Sequence, residues 1–134
     1  MFDDPEIIKK LALMTNEEID ELPFGLISFD RAGVVLKYNA NELAISGLSM
    51  PQVHGKSLFT GVAPSLNNEM VAGRFSDSLN TKSELDLIIK YTCVLRTRPV
   101  KAQLRLIYSP ESPIRYILID RSIGLNSAGV LNTR

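Results

Sequence analysis

Few side chains in this chain could make or break a bond. Ser65 sits at the centre of VAPSLNNEM (62–70), a loop that follows the glycine-containing run SLFTG. A serine hydroxyl is a nucleophile only beside an activating base. Ser65 has no G-x-S-x-G setting, and the single histidine, His54, lies in a separate polar turn, SMPQVHG. Cys93 is the single cysteine. It lies on the apolar side of an alternating run, where a free cysteine behaves as a small hydrophobe. The other reading of Cys93 is a reactive thiol, although nothing near it in sequence would lower its pKa. Tyr38 and Glu42 form the remaining pair. A buried carboxyl at Glu42 could stay protonated and donate to an anionic oxygen of a ligand, and Tyr38 could orient a ligand. Equally, Glu42 follows Asn39 at capping-box spacing, and Tyr38 could be a core aromatic with its hydroxyl satisfied by a neighbour.

Other chemistries lack their residues. His54 reads as a surface histidine; as a haem ligand it has no second ligand beside it. There is no Cys/His cluster or carboxylate set at metal-ligand spacing. Gly25, Gly33, Gly47, Gly55 and Gly61 are scattered as punctuation and form no phosphate loop. Asp20, Asp30 and Asp86 read as solvated or turn residues. The chain is therefore expected not to be an enzyme.

The elements that must position these residues follow from periodicity. Asp4-Pro5-Glu6 reads as a helix start, with Asp4 capping and Ile7, Ile8, Leu11 and Ala12 on one face. Thr15 and Glu18 have capping-box spacing for a second short helix that Pro23 ends. GLISFD (25–30), the turn Arg31-Ala32-Gly33 and Val34 to Tyr38 make a hairpin. Asn39 to Gly47 is a short capped helix with a glycine stop. Ser49 to Gly55 and Lys56 to Phe59 suggest further helical turns. Val71, Phe75 and Leu79 predict a helix from about Glu69 to Leu79 with a core face. Leu85, Leu87, Ile89, Tyr91, Cys93 and Leu95 alternate with polar positions, as do Val100, Ala102, Leu104, Leu106 and Tyr108 with Lys101, Gln103 and Arg105. Each is a long strand with one buried face. After the turn SPESP, Ile114 to Asp120 is the last strand.

The 134 residues suit one domain with its own core. The formal net charge of zero, with no Lys/Arg cluster, argues against a nucleic-acid partner. The acidic start MFDDPEIIKK is unlike a signal peptide, and no apolar run reaches membrane-spanning length. One cysteine suits a reducing compartment, so the expected location is cytoplasmic.

The helix–strand order, two strands, several short helices and three strands, resembles a PAS domain. That implies an α+β fold: a five-stranded antiparallel sheet, short helices on one face and an N-terminal helical cap. Particular words narrow the resemblance. They are Leu22-Pro23-Phe24-Gly25, Tyr38-Asn39-Ala40 leading to Glu42, Ile45-Ser46-Gly47, Val53, Gly55-Lys56 before Phe59, Val62-Ala63-Pro64, Tyr91-Thr92 and Pro99. In order and interval, from about Ile19 to Arg121, they resemble the photoactive yellow protein family. The implied organisation is a cap at 1–22, a PAS domain at 23–121 and a flexible tail at 122–134.

In that family the residue after Val-Ala-Pro is a cysteine that holds a p-coumaroyl chromophore as a thioester; here it is Ser65. By resemblance, Tyr38 and Glu42 match the pair that hydrogen-bonds the phenolate, and Ser46 matches a threonine supporting them. Leu48 stands where the family has a gating arginine, Thr97 where it has a methionine, and Cys93 where it has a phenylalanine near the chromophore. The ligand-binding set expected from these readings is Tyr38, Glu42, Ser46, Ser65, Tyr91 and Cys93, with packing the main role of Tyr91. No covalent cofactor is expected, and a small ligand of unknown identity is left open.

The function expected is a non-photoactive PAS regulatory module acting in signalling through protein contacts or as a homodimer, with no nucleic acid or membrane partner. The chain carries no kinase, cyclase or DNA-binding segment, so its output is expected to pass through another protein. Large residues would then fill the old pocket, and Ile88, Val94, Ile117 and Ile119 would offer apolar surface on the outer sheet face. The alternatives are a sensor holding a ligand non-covalently, whose N-terminal helices shift on binding, and a photoreceptor with atypical attachment.

Overall fold

Gly25–Phe29 (β1) is buried at every position, which a strand achieves only when both sheet faces are covered. A computed structural model of the chain describes residues 1–95 and 98–121, with 94 and 95 as backbone alone. In it, β1 lies inside an antiparallel sheet with Val35–Tyr38 (β2), Leu85–Leu95 (β3), Arg98–Tyr108 (β4) and Arg115–Asp120 (β5). The strand order is β2-β1-β5-β4-β3. This is the expected five-stranded antiparallel PAS architecture. The segment between β2 and β3 crosses the sheet as Ala40–Ser46 (α3), Met50–Val53 (α4), a π-helical turn at Leu58–Val62, a 3-10 turn at Pro64–Leu66 and Ala72–Thr81 (α5).

Side-chain alternation sends β1, β4 and β5 into two cores. Ile27, Phe29, Leu104, Leu106, Ile117 and Ile119 face the crossing helices and pack with Val53, Leu58, Leu66, Val71 and Phe75. Leu26, Ile107 and Leu118 face the other way, under Ile7–Leu13 (α1) and Asn16–Asp20 (α2), where Ile7, Leu11, Ile19, Leu22 and Phe24 cover them.

That second core corrects the expected interface. Ile117 and Ile119 are 0% and 2% exposed and belong to the inner core, so they offer no outer surface. Ile88 is exposed as expected. The expectations for the side chain of Val94, for Thr97 and for the 122–134 tail lie outside the described residues.

Arg105 is the larger correction. Its alternation with Lys101 and Gln103 suggests a solvated face, yet it is buried. Its Nε and Nη2 donate to the Asp86 carboxylate, each at 2.8 Å, and its Nη1 donates to the carbonyls of Phe2 at 3.0 Å and Asp4 at 2.7 Å. Asp86 is thus a paired residue and not a freely solvated one. One guanidinium ties strands β3 and β4 to the chain's first residues.

This clamp accompanies a later start for α1. Asp4 Oδ1 accepts from the Glu6 N–H at 2.8 Å in a tight turn, so Pro5 and Glu6 precede the helix instead of opening it. The helix at Thr15 begins as expected, with both bonds of its capping box formed. Asn68 delays α5 in a similar way. Its Oδ1 accepts from the N–H groups of Met70 and Val71, which holds them in a turn, and the helix opens at Ala72 instead of near Glu69.

Candidate functional site

Asn39 sets the site's geometry. It is 1% exposed and uses its whole amide. Its Oδ1 accepts from Leu26 N–H at 3.0 Å and Glu42 N–H at 3.1 Å, and its Nδ2 donates to Ile19 O at 3.1 Å and Phe24 O at 3.0 Å. One side chain therefore caps α3, fixes it to β1 and joins it to the α2 cap. Asp20, which read as a free or turn residue, accepts from the Ala40 N–H at 2.9 Å and reinforces that junction. Gly47, at φ 75°, ends α3 in the left-handed region that glycine adopts without strain.

Glu42 does not close the capping box. The Asn39 N–H that it would accept from already donates to Leu26 O at 3.0 Å. The carboxylate turns inward, with Oε1 2.6 Å from Arg121 Nη1 and Oε2 3.1 Å from Arg121 Nη2. This is a two-pronged, buried ion pair. It makes Glu42 the charged partner of a guanidinium, where the sequence left open a protonated carboxyl. Gly25 makes room for it: a Cβ at that position would overlap Glu42 Oε1.

Tyr38 closes this end. Its hydroxyl reaches Glu42 Oε2 only at 3.5 Å, the outer limit of a hydrogen bond. Burial, and then the Glu42 charge, push its pKa up to about 12, against smaller lowering effects of the Ser46 hydroxyl and the Arg121 charge. Tyr38 is therefore a neutral donor at physiological pH. Burial pulls the Arg121 pKa down, but the hydrogen bond and charge of Glu42 outweigh it and the net shift is upward.

A cavity of about 370 Å³ opens from this end. Tyr38, Glu42, Ser46 and Arg121 supply polar groups, Ile27, Leu48, Val62, Leu66 and Ile119 supply apolar wall, and Ser65 and Cys93 also line it. The pocket is open, contrary to the expectation that large residues fill it. Leu48 forms part of the wall, while the Ser46 hydroxyl is shared between Leu43 O at 3.4 Å and Leu48 N–H at 3.3 Å.

Five of the six expected ligand-binding residues line this one cavity: Tyr38, Glu42, Ser46, Ser65 and Cys93. Tyr91 has a different place. It packs against the inner core, and its hydroxyl donates to Ser65 O at 2.7 Å and accepts from Asn68 Nδ2 at 2.5 Å. Tyr91 braces the loop that carries Ser65. The Cys93 thiol is buried, and burial raises its pKa, which keeps it protonated and weakly nucleophilic near neutrality. His54 is exposed, as expected. Among the described residues, no group of three or more His, Cys, Asp or Glu could hold a metal ion, and no helix is long and apolar enough to cross a membrane.

Sequence reasoning missed Arg121 and Asn68. Arg121 follows the last strand, 79 residues from its partner, and no local pattern links them. Asn68 gave the stronger signal, an asparagine just before a helical period, where such residues make turns.

No family model matches the chain. Relatives do. It is 31% identical to the photoactive yellow protein of Rhodothalassium salexigens over 120 residues, covering 90% of this chain and 95% of the relative. It is also 31% identical to that of Halochromatium salexigens, over 78% of this chain and 83% of the relative. Among solved structures it resembles the photoactive yellow protein domain of the sensor histidine kinase Ppr from Rhodospirillum centenum. There the TM-score is 0.75 at 31% identity, covering 83% of this chain and 96% of that one. With this PAS fold and this shared sequence, the chain belongs to the photoactive yellow protein family.

Proposed function

We propose that this chain is a non-photoactive sensor that holds a small molecule non-covalently in the cavity and signals through contacts with another protein. The observation that carries this reading is the open cavity of about 370 Å³ with its polar groups gathered at the Tyr38–Glu42–Arg121 end. Pockets of this size with an apolar wall and a few convergent polar groups suit small ligands. The loop position of the family's thioester carries Ser65, a hydroxyl with no base beside it in sequence, and the buried Cys93 thiol is a poor nucleophile. The free cysteine suits a reducing, cytoplasmic setting.

The route outward is short. A ligand at Tyr38 and Glu42 bears on α3, whose first turn is fixed to α2 by Asn39 and Asp20. A ligand with different affinities for two placements of that junction shifts the cap. The test is a small-molecule screen read by amide NMR. Binders should move resonances at 38–46 and 62–66, with a second set at 16–22. If no compound moves the cavity set, the reading fails.

A second reading, homodimerisation, has its own support at β3. This is an edge strand, and among the described residues its backbone pairs only with β4. Among its described side chains the exposed ones are Asp86, Ile88, Lys90 and Thr92. Antiparallel pairing of two copies about Ile88 sets Ile88 against its own copy and Asp86 against Lys90, an apolar pair flanked by opposite charges. Centring on Asp86 or Lys90 would instead oppose like charges. Sedimentation equilibrium should then show a dimer that Ile88→Glu dissociates. A wild-type monomer at high micromolar concentration rejects this reading.

A further inference from the structure

A second groove, of about 360 Å³, lies apart from the polar end of the cavity. It is bordered by Leu36, Lys37, Tyr38 and Asn39, the end of β2 and the residue after it. Successive side chains of a strand point to opposite faces, so four residues in a row border one groove only along the strand's edge. β2 is an edge strand. Part of that edge is already paired: the Val35 N–H donates to Lys56 O at 2.9 Å, and the Gly55 N–H donates to Val35 O at 3.0 Å. The groove takes up the rest of the edge, with Asp20 of α2, Leu43 of α3, Met50 of α4 and His54 in its walls.

Tyr38 borders both this groove and the ligand cavity. Its ring packs in the inner core. Its backbone is aimed elsewhere. Asn39 N–H donates to Leu26 O, and Tyr38 stands opposite Ile27. Ladder bonds alternate along an antiparallel pair, so the Tyr38 N–H and C=O point away from β1, to the open edge. Among the described residues no hydrogen bond meets either group.

We propose that this groove docks an extended segment of the partner protein, which adds to β2 as a further strand and exchanges backbone hydrogen bonds with Tyr38. The proposal rests on the reading above that the chain signals through another protein, and adds where that protein binds and what it must carry. An extended chain offers N–H and C=O groups to such an edge, whereas a helix spends its own internally. Leu36 and Leu43 are half-buried and Met50 is 39% exposed, which leaves room for one apolar side chain. Lys37 and Asp20 form no ion pair among the described residues, and Asp20 has one oxygen on the Ala40 N–H. The complementary segment therefore carries an apolar residue between an acidic and a basic one. Because Tyr38 borders both spaces, a ligand that moves its ring in the cavity also moves the backbone on which the segment pairs.

The test is selection of a displayed random heptapeptide library on the full chain, followed by titration of the enriched peptides into ¹⁵N-labelled protein. Enriched peptides should shift amides at 36–39, 16–20 and 50–54 and slow hydrogen exchange of the Tyr38 amide. N-methylation of the peptide amide that pairs with Tyr38 should weaken binding about ten-fold, the loss of one backbone hydrogen bond. N-methylation of the next amide on either side should not, because alternate amides of a strand point away. Lys37→Glu should shift the selection from an acidic to a basic residue at the facing position. No enrichment, shifts confined to β3, or N-methylation effects without alternation would overturn the docking site while leaving the ligand-binding reading intact. Peptides with the expected signatures, on a chain whose cavity takes up no small molecule, would uphold the docking site and reject the sensor.

Discussion

Arg121 and Glu42, 79 residues apart in sequence, meet across the end of the cavity with nitrogen–oxygen distances of 2.6 and 3.1 Å. The pair sets the cavity's charge balance and joins the end of the sheet to the first turn of α3. Much of the molecule's response to mutation follows from it.

Removing one member of a buried pair leaves the other charged and unsolvated. Glu42→Gln is expected to lower stability by about 3–5 kcal/mol. This exceeds the loss of a helix cap, because Asn39 and not Glu42 provides the cap bond. The measurement is urea denaturation at neutral pH. Gly25→Ala should act in the same direction, since its Cβ would displace the Glu42 carboxylate from Arg121. A loss near zero for both variants would mean that the pair is not formed.

Arg105→Met removes the bond to Asp86 and both carbonyl bonds to Phe2 and Asp4. Its expected cost is about 1–3 kcal/mol, from the lost bonds of a buried guanidinium and the carbonyls left without a donor, since the Asp86 carboxylate itself is exposed. Hydrogen exchange discriminates its role. Amides of α1 should lose protection while β1 and β5 keep theirs. Equal loss everywhere would make Arg105 a general core residue and not a clamp on the cap.

Tyr38 gives a pH signature. Its pKa rises from 10.0 to about 12 in the fold, first through burial and then through the charge of Glu42. The folded state therefore favours the neutral phenol. That contribution is complete below pH 10.0 and is lost as pH rises towards about 12, because the unfolded chain ionises first. Tyr116 is shifted the same way by burial. Ultraviolet titration of the wild type against Tyr38→Phe should assign one late-ionising phenol to Tyr38. Ionisation of that phenol near pH 10.0 would contradict its buried placement.

Ser65→Cys restores a thiol to the loop where the family carries its thioester. Given an open cavity, this variant should gain the mass of one coumaroyl group on treatment with an activated p-coumaroyl ester. The wild type, with Cys93 buried and its pKa raised, should gain none under the same conditions. Labelling of the wild type at Cys93 would favour a photoreceptor with a displaced attachment.

The sequence was most legible where the determinants are local. The Thr15–Glu18 box, the Asn39 cap, the Gly47 stop and the alternation in β3 are short-range signals, and each appears in the fold. Legibility failed where a partner comes from far along the chain. Residues Leu104 to Tyr108 are buried on both faces because α1 and α2 cover the outer side, so alternation alone misplaced Arg105. Glu42 shows a related limit. Its cap spacing is visible in sequence, but the competing attraction of Arg121 is not. The five cavity residues came from family resemblance, since periodicity cannot show which inward side chains border empty space.

The most direct test of the central claim is mass spectrometry of the chain after incubation with a desalted small-molecule extract, under native and then denaturing conditions. A non-covalent sensor predicts added mass in the native spectrum that vanishes on denaturation, and loss of that adduct in a folded cavity variant such as Leu48→Trp. A bare mass under native conditions across extracts, or an adduct that survives denaturation, would contradict it.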